Sequence, residues 1–288
     1  MAADASALLV VPARPWSRFT ALLRRAFVAA YEDGCFGIAK GAAYSALLAF
    51  FPICTSIAAI LAQVRADAVS RQMSRFLFEV VPPSSQDLVR YVFTYRGARP
   101  IWLLVAASLL AIWAGTGLMM TLMEGFQAAY KLPTGRPFLQ QRGVAVLLVF
   151  AAALPVVGAS VLILFSRSFT RWLGVPEGSQ AAGWLIFATE AVNYLIAFAA
   201  IVLVTSLLYY IGPNRPMKMR DAWPGAVLAT LLWLPATGGF GWYVRHIANY
   251  NFLYGSVAAG IVLLVWMYLL AVIALLGCEF NAEREHQA

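Results

Sequence analysis

Charge is scarce in this chain. Only 12% of its 288 residues are Asp, Glu, Lys or Arg, while 62% are hydrophobic and the mean hydropathy is +0.75. A soluble domain carries roughly a quarter charged residues, and no soluble fold can hide this much apolar surface. Histidine and cysteine are scarcer still. His246 and His286 are the two histidines, too few for the His and Asp cluster that metal-dependent hydrolysis of RNA normally needs. Cys35, Cys54 and Cys278 are odd in number and far apart, and two of them lie in apolar blocks. Cysteine there behaves as a small hydrophobe, so neither a disulfide framework nor a metal site is implied. A Gly-rich phosphate-binding loop with its lysine is also missing, which argues against an intrinsic ATPase motor. No cofactor is called for. The opening residues, MAADASALLVVPARPW, hold a short apolar run with no basic region before it, so they do not read as a cleaved signal.

What the chain does have is long apolar blocks of the size needed to cross a hydrocarbon layer of about 30 Å. They run roughly 38–62, 100–123, 144–165, 184–211, 223–244 and 254–278. The expected fold is therefore all-α: a polytopic membrane protein, a bundle of about six transmembrane helices with amphipathic surface helices. Residues 1–37 read as a cytoplasmic arm, 38–282 as the membrane domain and 283–288 as a short tail. In the arm, Trp16, Phe19, Leu23 and Phe27 recur at helical spacing while Arg18, Arg24 and Arg25 fall elsewhere, the pattern of a basic helix lying in the interface. Segment 63–99 is too polar to span; two apolar stripes separated by Pro82 and Pro83 predict two surface helices. Trp102, Trp172, Trp184, Trp223 and Trp242 sit near proposed span ends, as an aromatic belt requires.

Net charge +8 would raise the question of nucleic acid in a soluble protein. Here the charges lie between apolar blocks, so lipid headgroups are the expected partners and nucleic acid is not. An inside N-terminus puts Lys40, Lys131, Arg136, Arg142, Arg215, Lys218 and Arg220 on the cytoplasmic side. Both termini are then cytoplasmic, with the arginine-rich first loop dissenting.

Several residues are candidates for function. Glu190 falls deep in the fourth apolar block with Asn193 and Tyr194 about one turn on. An ionisable group there is expensive and commonly faces protein or water; it either lines a path or bonds a neighbouring helix. Glu279 with Asn281, and Glu124 with Gln127, close the last and second spans, as cavity groups or as caps. Pro52 and Pro235 interrupt their helices, and Gly238, Gly239 and Gly241 follow the latter, giving either hinges or close helix packing. Arg245, His246, Tyr250, Asn251, Tyr254, Gly255 and Ser256 form a polar-aromatic turn, suited to an anionic headgroup or to interface anchoring.

Three stretches together resemble one known family. They are Ala43-Tyr44-Ser45-Ala46-Leu47-Leu48-Ala49-Phe50-Phe51-Pro52, then Pro224-Gly225-Ala226 leading to Leu231-Leu232-Trp233, and a final stretch. That last stretch runs Tyr250, Asn251, Tyr254-Gly255-Ser256, Trp266, Tyr268 and Gly277-Cys278-Glu279-Phe280-Asn281-Ala282. The likeness is to the YihY/BrkB inner-membrane proteins, once mislabelled ribonuclease BN, and covers the chain from about Phe19 onward. It implies a six-helix bundle in the bacterial inner membrane, without a settled activity. Three functions follow as expectations: transport or flipping of a lipid or envelope component; a non-catalytic scaffold for membrane proteins, self-association included; and, least favoured, the old ribonuclease label.

Overall fold

A computed structural model of the chain describes residues 15–63, 101–132, 136–172, 180–246 and 257–287. Among these residues the structure is helical: α1 (Pro15–Glu32), α2 (Cys35–Gln63), α3 (Ile101–Ala129), α4 (Phe138–Trp172), α5 (Gln180–Ile211), α6 (Met219–His246) and α7 (Val257–His286). Six of them, α2 to α7, are long and apolar enough to cross a membrane. Each helix from α2 to α7 packs on the next in the chain, and α7 returns to α2, so the six form a closed ring with α7 also touching α3. The surface helices expected in the first loop, together with Tyr250 and Tyr254, lie outside the described residues.

The helices outrun the apolar blocks. The last block stops at 278, yet α7 continues to His286, so Glu279 and Asn281 do not cap a helix but sit inside one. The reason is packing: half of the α7 span is buried inside the protein, against 11% of the α4 and α5 spans. Polar residues in such a helix can face protein instead of lipid headgroups.

The bundle's largest core cluster lies at one end. It joins Cys35, Ala39 and Ala42 of α2, Leu122 and Phe126 of α3, Val202 and Tyr209 of α5, Ala222 and Ala226 of α6, and Leu275 and Cys278 of α7. Small residues make this possible, because packing between membrane helices depends on close backbone approach. A side chain at Gly225 would collide with the carbonyl oxygen of Gly277 and the Asn281 amide. A Cβ at Gly277 would lie 2.7 Å from the Gly225 oxygen and 2.5 Å from the Tyr209 hydroxyl. Thus α5, α6 and α7 converge on the Gly277 backbone.

Helix α1 is docked on α7 at this same end. Its buried stripe is Leu22, Ala26, Ala29 and Ala30, with Leu22 and Ala26 against Leu228 and Phe280. The stripe read from the sequence is offset from it: Phe19 and Phe27 remain exposed, at the margin of the docked face. The helix has two apolar stripes, one for protein and one facing outward. Phe19 meets the Phe280 ring at 5.9 Å, and Phe27 meets Phe36 at 5.9 Å. Gly34, at φ +71°, makes the turn from α1 into α2, a left-handed position that glycine takes without a Cβ clash.

Candidate functional site

Two of the buried polar side chains, Glu279 and Asn281, lie at the tightly packed end on two sides of α7. Glu279 is 1% exposed and Asn281 2%. Two positions apart on a helix, they face different neighbours. Asn281 faces α6: its Oδ1 accepts from the Gly225 N–H at 2.7 Å, and its Nδ2 donates to the Ala222 carbonyl at 2.9 Å. Pro224 interrupts the backbone ladder there by lacking an N–H, and the Asn281 amide stitches the interrupted turn to α7. Glu279 faces the start of α2, where the Cys35 thiol donates to its Oε1 at 3.2 Å.

Two further side chains close the same end. The Tyr209 hydroxyl, fully buried, donates to the Ala274 carbonyl at 2.5 Å, and its ring packs edge-on against Phe126 at 5.3 Å. Arg136 donates to the carbonyls of Gly212 at 3.1 Å and Ile211 at 3.0 Å. These are orphan acceptors at the end of α5, where a cation also meets the negative end of the helix dipole. Partial desolvation lowers the Arg136 pKa from its ordinary value, while two carbonyls hold the guanidinium.

The end of α3 is a Schellman closure, with Lys131 N–H to the Ala128 carbonyl at 2.8 Å and Leu132 N–H to the Gln127 carbonyl at 3.0 Å. Lys131 occupies the left-handed position, φ 52°, that glycine usually fills. Beside it Tyr130 is buried, and burial pushes its phenol pKa up. The Arg215 guanidinium lies over the Tyr130 ring at 4.2 Å and pairs with Glu285. Unpartnered buried atoms remain here: Asp33 Oδ2, Gln127 Nε2 and the Tyr130 hydroxyl.

The other sequence candidates are not part of this cluster. Glu190 is exposed on the outer surface, and Tyr194 beside it is 77% exposed. Asn193 is half-buried, with its Oδ1 unpartnered. Nineteen residues separate Glu190 from Tyr209 on α5, about 28 Å of helix at 1.5 Å per residue, so the two mark different ends of the bundle. Glu190 is the fourth residue of the candidate span Phe187–Ile211, in a helix that begins at Gln180. Glu124 is exposed, pointing away from the contact its neighbour Gly125 makes with Leu275.

Pro52 and Pro235 both lie within continuous helices. Near Pro52 the Ser56 hydroxyl bonds the Pro52 carbonyl itself, at 2.8 Å. Gly238 and Gly239 are exposed, and among the described residues a Cβ at either would meet no neighbour within 4 Å. Arg245 falls in the last turn of α6, and its side chain is outside what is described. Among the described residues, no group of three or more His, Cys, Asp or Glu is placed to hold a metal ion.

Sequence reasoning ranked Glu190 first and missed Cys35, Tyr209 and Arg136 as partners. Only Asn281 and Glu279, inside the family-like final stretch, pointed to this end.

The fold and its polar seal define a polytopic helical membrane protein. It belongs to the BrkB family: residues 26–288 match the family described as Virulence factor BrkB. A Bacillus subtilis relative carrying a ribonuclease-like name, YfkH, is 31% identical over 60% of this chain and 62% of its own. A UPF0761 membrane protein of Alkalilimnicola ehrlichii is 31% identical over 87% of this chain and 55% of its own. One from Tolumonas auensis is 26% identical over 98% and 93%. The chain thus aligns with less than two thirds of the length of the first two relatives and nearly all of the third. No solved structure matches it.

Proposed function

We propose that the protein sits in the bacterial inner membrane with its tightly packed end in the cytoplasm, and that it moves a lipid or another amphipathic envelope component between leaflets. The observation that carries this reading is the unevenness of the bundle: one end is sealed by buried side-chain bonds around α7, while towards the other end Pro235, Gly238 and Gly239 of α6 are exposed. Such a molecule can stay closed at one side while its far half parts to admit a substrate from the bilayer. The positive-inside rule supports the orientation, since Lys131, Arg136, Arg142, Arg215, Lys218, Arg220 and Arg284 all belong to the sealed end. Those cations also suit anionic headgroups.

On this reading the protein is not an enzyme; the ribonuclease-like name belongs to the Bacillus subtilis relative. The scaffold alternative loses one support. The small residues Gly225 and Ala229, attractive as a face for partner helices, are covered within the chain by Gly277.

Purified protein in liposomes carrying fluorescent phospholipids, or lipid-linked sugars, tests the reading. Leaflet transfer faster than in protein-free vesicles is the expected result. Rates equal to protein-free vesicles for every lipid class would remove it. A phosphatase active only outside the cytoplasm, fused after Gln287, should be inactive; an active fusion would reverse the orientation.

A further inference from the structure

The chemistry least explained by packing lies where α7 faces the α1–α2 turn. Glu279 is almost wholly enclosed, yet its bonded partner is a thiol, a weak donor. The ion pairs among the described residues, Arg215 with Glu285 and Asp221 with Arg220 and Arg284, leave it out. An enclosed carboxylate without a cation is costly in a medium of low polarity.

Its surroundings can be named element by element. The α1–α2 turn brings Asp33, close enough to interact electrostatically with both Glu279 and Cys35. The buried residues of α1 are apolar. From α2 comes Cys35, with Lys40 on the exposed side. From α3 come Lys131, exposed but within electrostatic range of Glu279, and the unpartnered Gln127 Nε2 and Tyr130 hydroxyl. Tyr130 is 8% exposed and interacts with Cys278, Arg215 and Glu285. On α7 itself stand Cys278 and Glu283. Towards α6, Asp221 is engaged with Arg220 and Arg284. Glu279 thus has two half-buried carboxylates, Asp33 and Glu283, and one exposed lysine, Lys131, within electrostatic range.

We infer that Glu279 is a proton-binding site coupled to the seal, the bound ligand being a proton taken from and returned to the water at that end of the bundle. With the proton in place, the neutral carboxyl accepts from Cys35 at Oε1 and α7 stays against α2 and α3. When the proton leaves, the remaining negative charge has a thiol for its bonded partner and the carboxylates of Asp33 and Glu283 within electrostatic range. Water and Lys131 must then approach it, and α7 parts from the α1–α2 turn. Coupling of this event to lipid movement rests on the transport reading above; the proton site itself does not.

Infrared titration of the protein in lipid nanodiscs tests the site. Wild type should show a protonated-carboxyl band that disappears as pH is raised. Glu279→Gln, a neutral isostere, should lack the band, and Cys35→Ala and Asp33→Asn should retain it at shifted position. A band that survives in Glu279→Gln, that never titrates, or that is missing at all pH values would overturn the proposal. If the band titrates and liposomes move no lipid, the transport reading fails and the proton site stands. Lipid movement indifferent to pH while the band titrates would overturn the coupling.

Discussion

The two ends of the bundle solve the same problem by different means. At the sealed end, α6 and α7 approach until Gly225 and Gly277 leave no room for a side chain, and Asn281 bonds across the gap. Towards the far end of the same α6, Gly238 and Gly239 face open space and Pro235 is exposed. Among the described residues, one helix therefore carries glycine in two opposite settings, close contact at one end and no contact at the other. Small residues in a membrane helix identify a packing surface only when something is packed on it.

Substitutions of matching residue types at the two ends should separate them. The largest effect is expected at Gly225. Gly225→Val forces a branched side chain into the Gly277 carbonyl, and should cost about 3 kcal/mol or more. Gly238→Ala and Gly239→Ala should leave thermal unfolding in detergent unchanged or raise stability by up to about 1 kcal/mol each, from helix propensity alone. If Gly225→Val melts like wild type, the close crossing is wrong.

Next comes the asparagine pair. Asn281→Ala strips the side-chain partner from the Gly225 N–H and the Ala222 carbonyl, and should cost about 2 to 3 kcal/mol. Asn193→Ala removes a half-buried amide whose oxygen has no partner, so its melting temperature should stay near wild type. Equal losses at both positions would erase the distinction between the ends. Smallest is Arg215→Ala, at the rim of the seal. Its partner Glu285 is 45% exposed at the side chain, and its stacking on Tyr130 is partly solvated. Such pairs contribute roughly 0.5 to 1 kcal/mol, and the loss should shrink in high salt for the ionic part.

How much of this was legible beforehand depended on what the signal measures. Apolar blocks report burial from water, so the six spans and the all-α class could be read directly. They do not distinguish lipid from protein as the covering. Glu190 interrupts an apolar block and drew attention for that reason, yet it lies on the outer surface. Glu279 follows the last apolar block and read as an end group, because nothing local says that α1, α2 and α3 fold over it. Tyr209 and Arg136 become partners of Ala274 and Ile211 through contacts 65 and 75 residues apart in sequence, a separation that periodicity cannot register. The second stripe of α1, Leu22 with Ala26 and Ala30, was hidden by the larger aromatic one, since alanine contributes little to an apolar pattern and much to a close contact.

Backbone hydrogen exchange in lipid nanodiscs tests the contrast between the two ends most directly. Amides of Ala222–Thr230 and Gly277–Ala282 should exchange at least about tenfold more slowly than those of Pro235–Val244, because tightly packed segments open least often. Equal protection along α6, from Ala222 through Val244, would contradict the account.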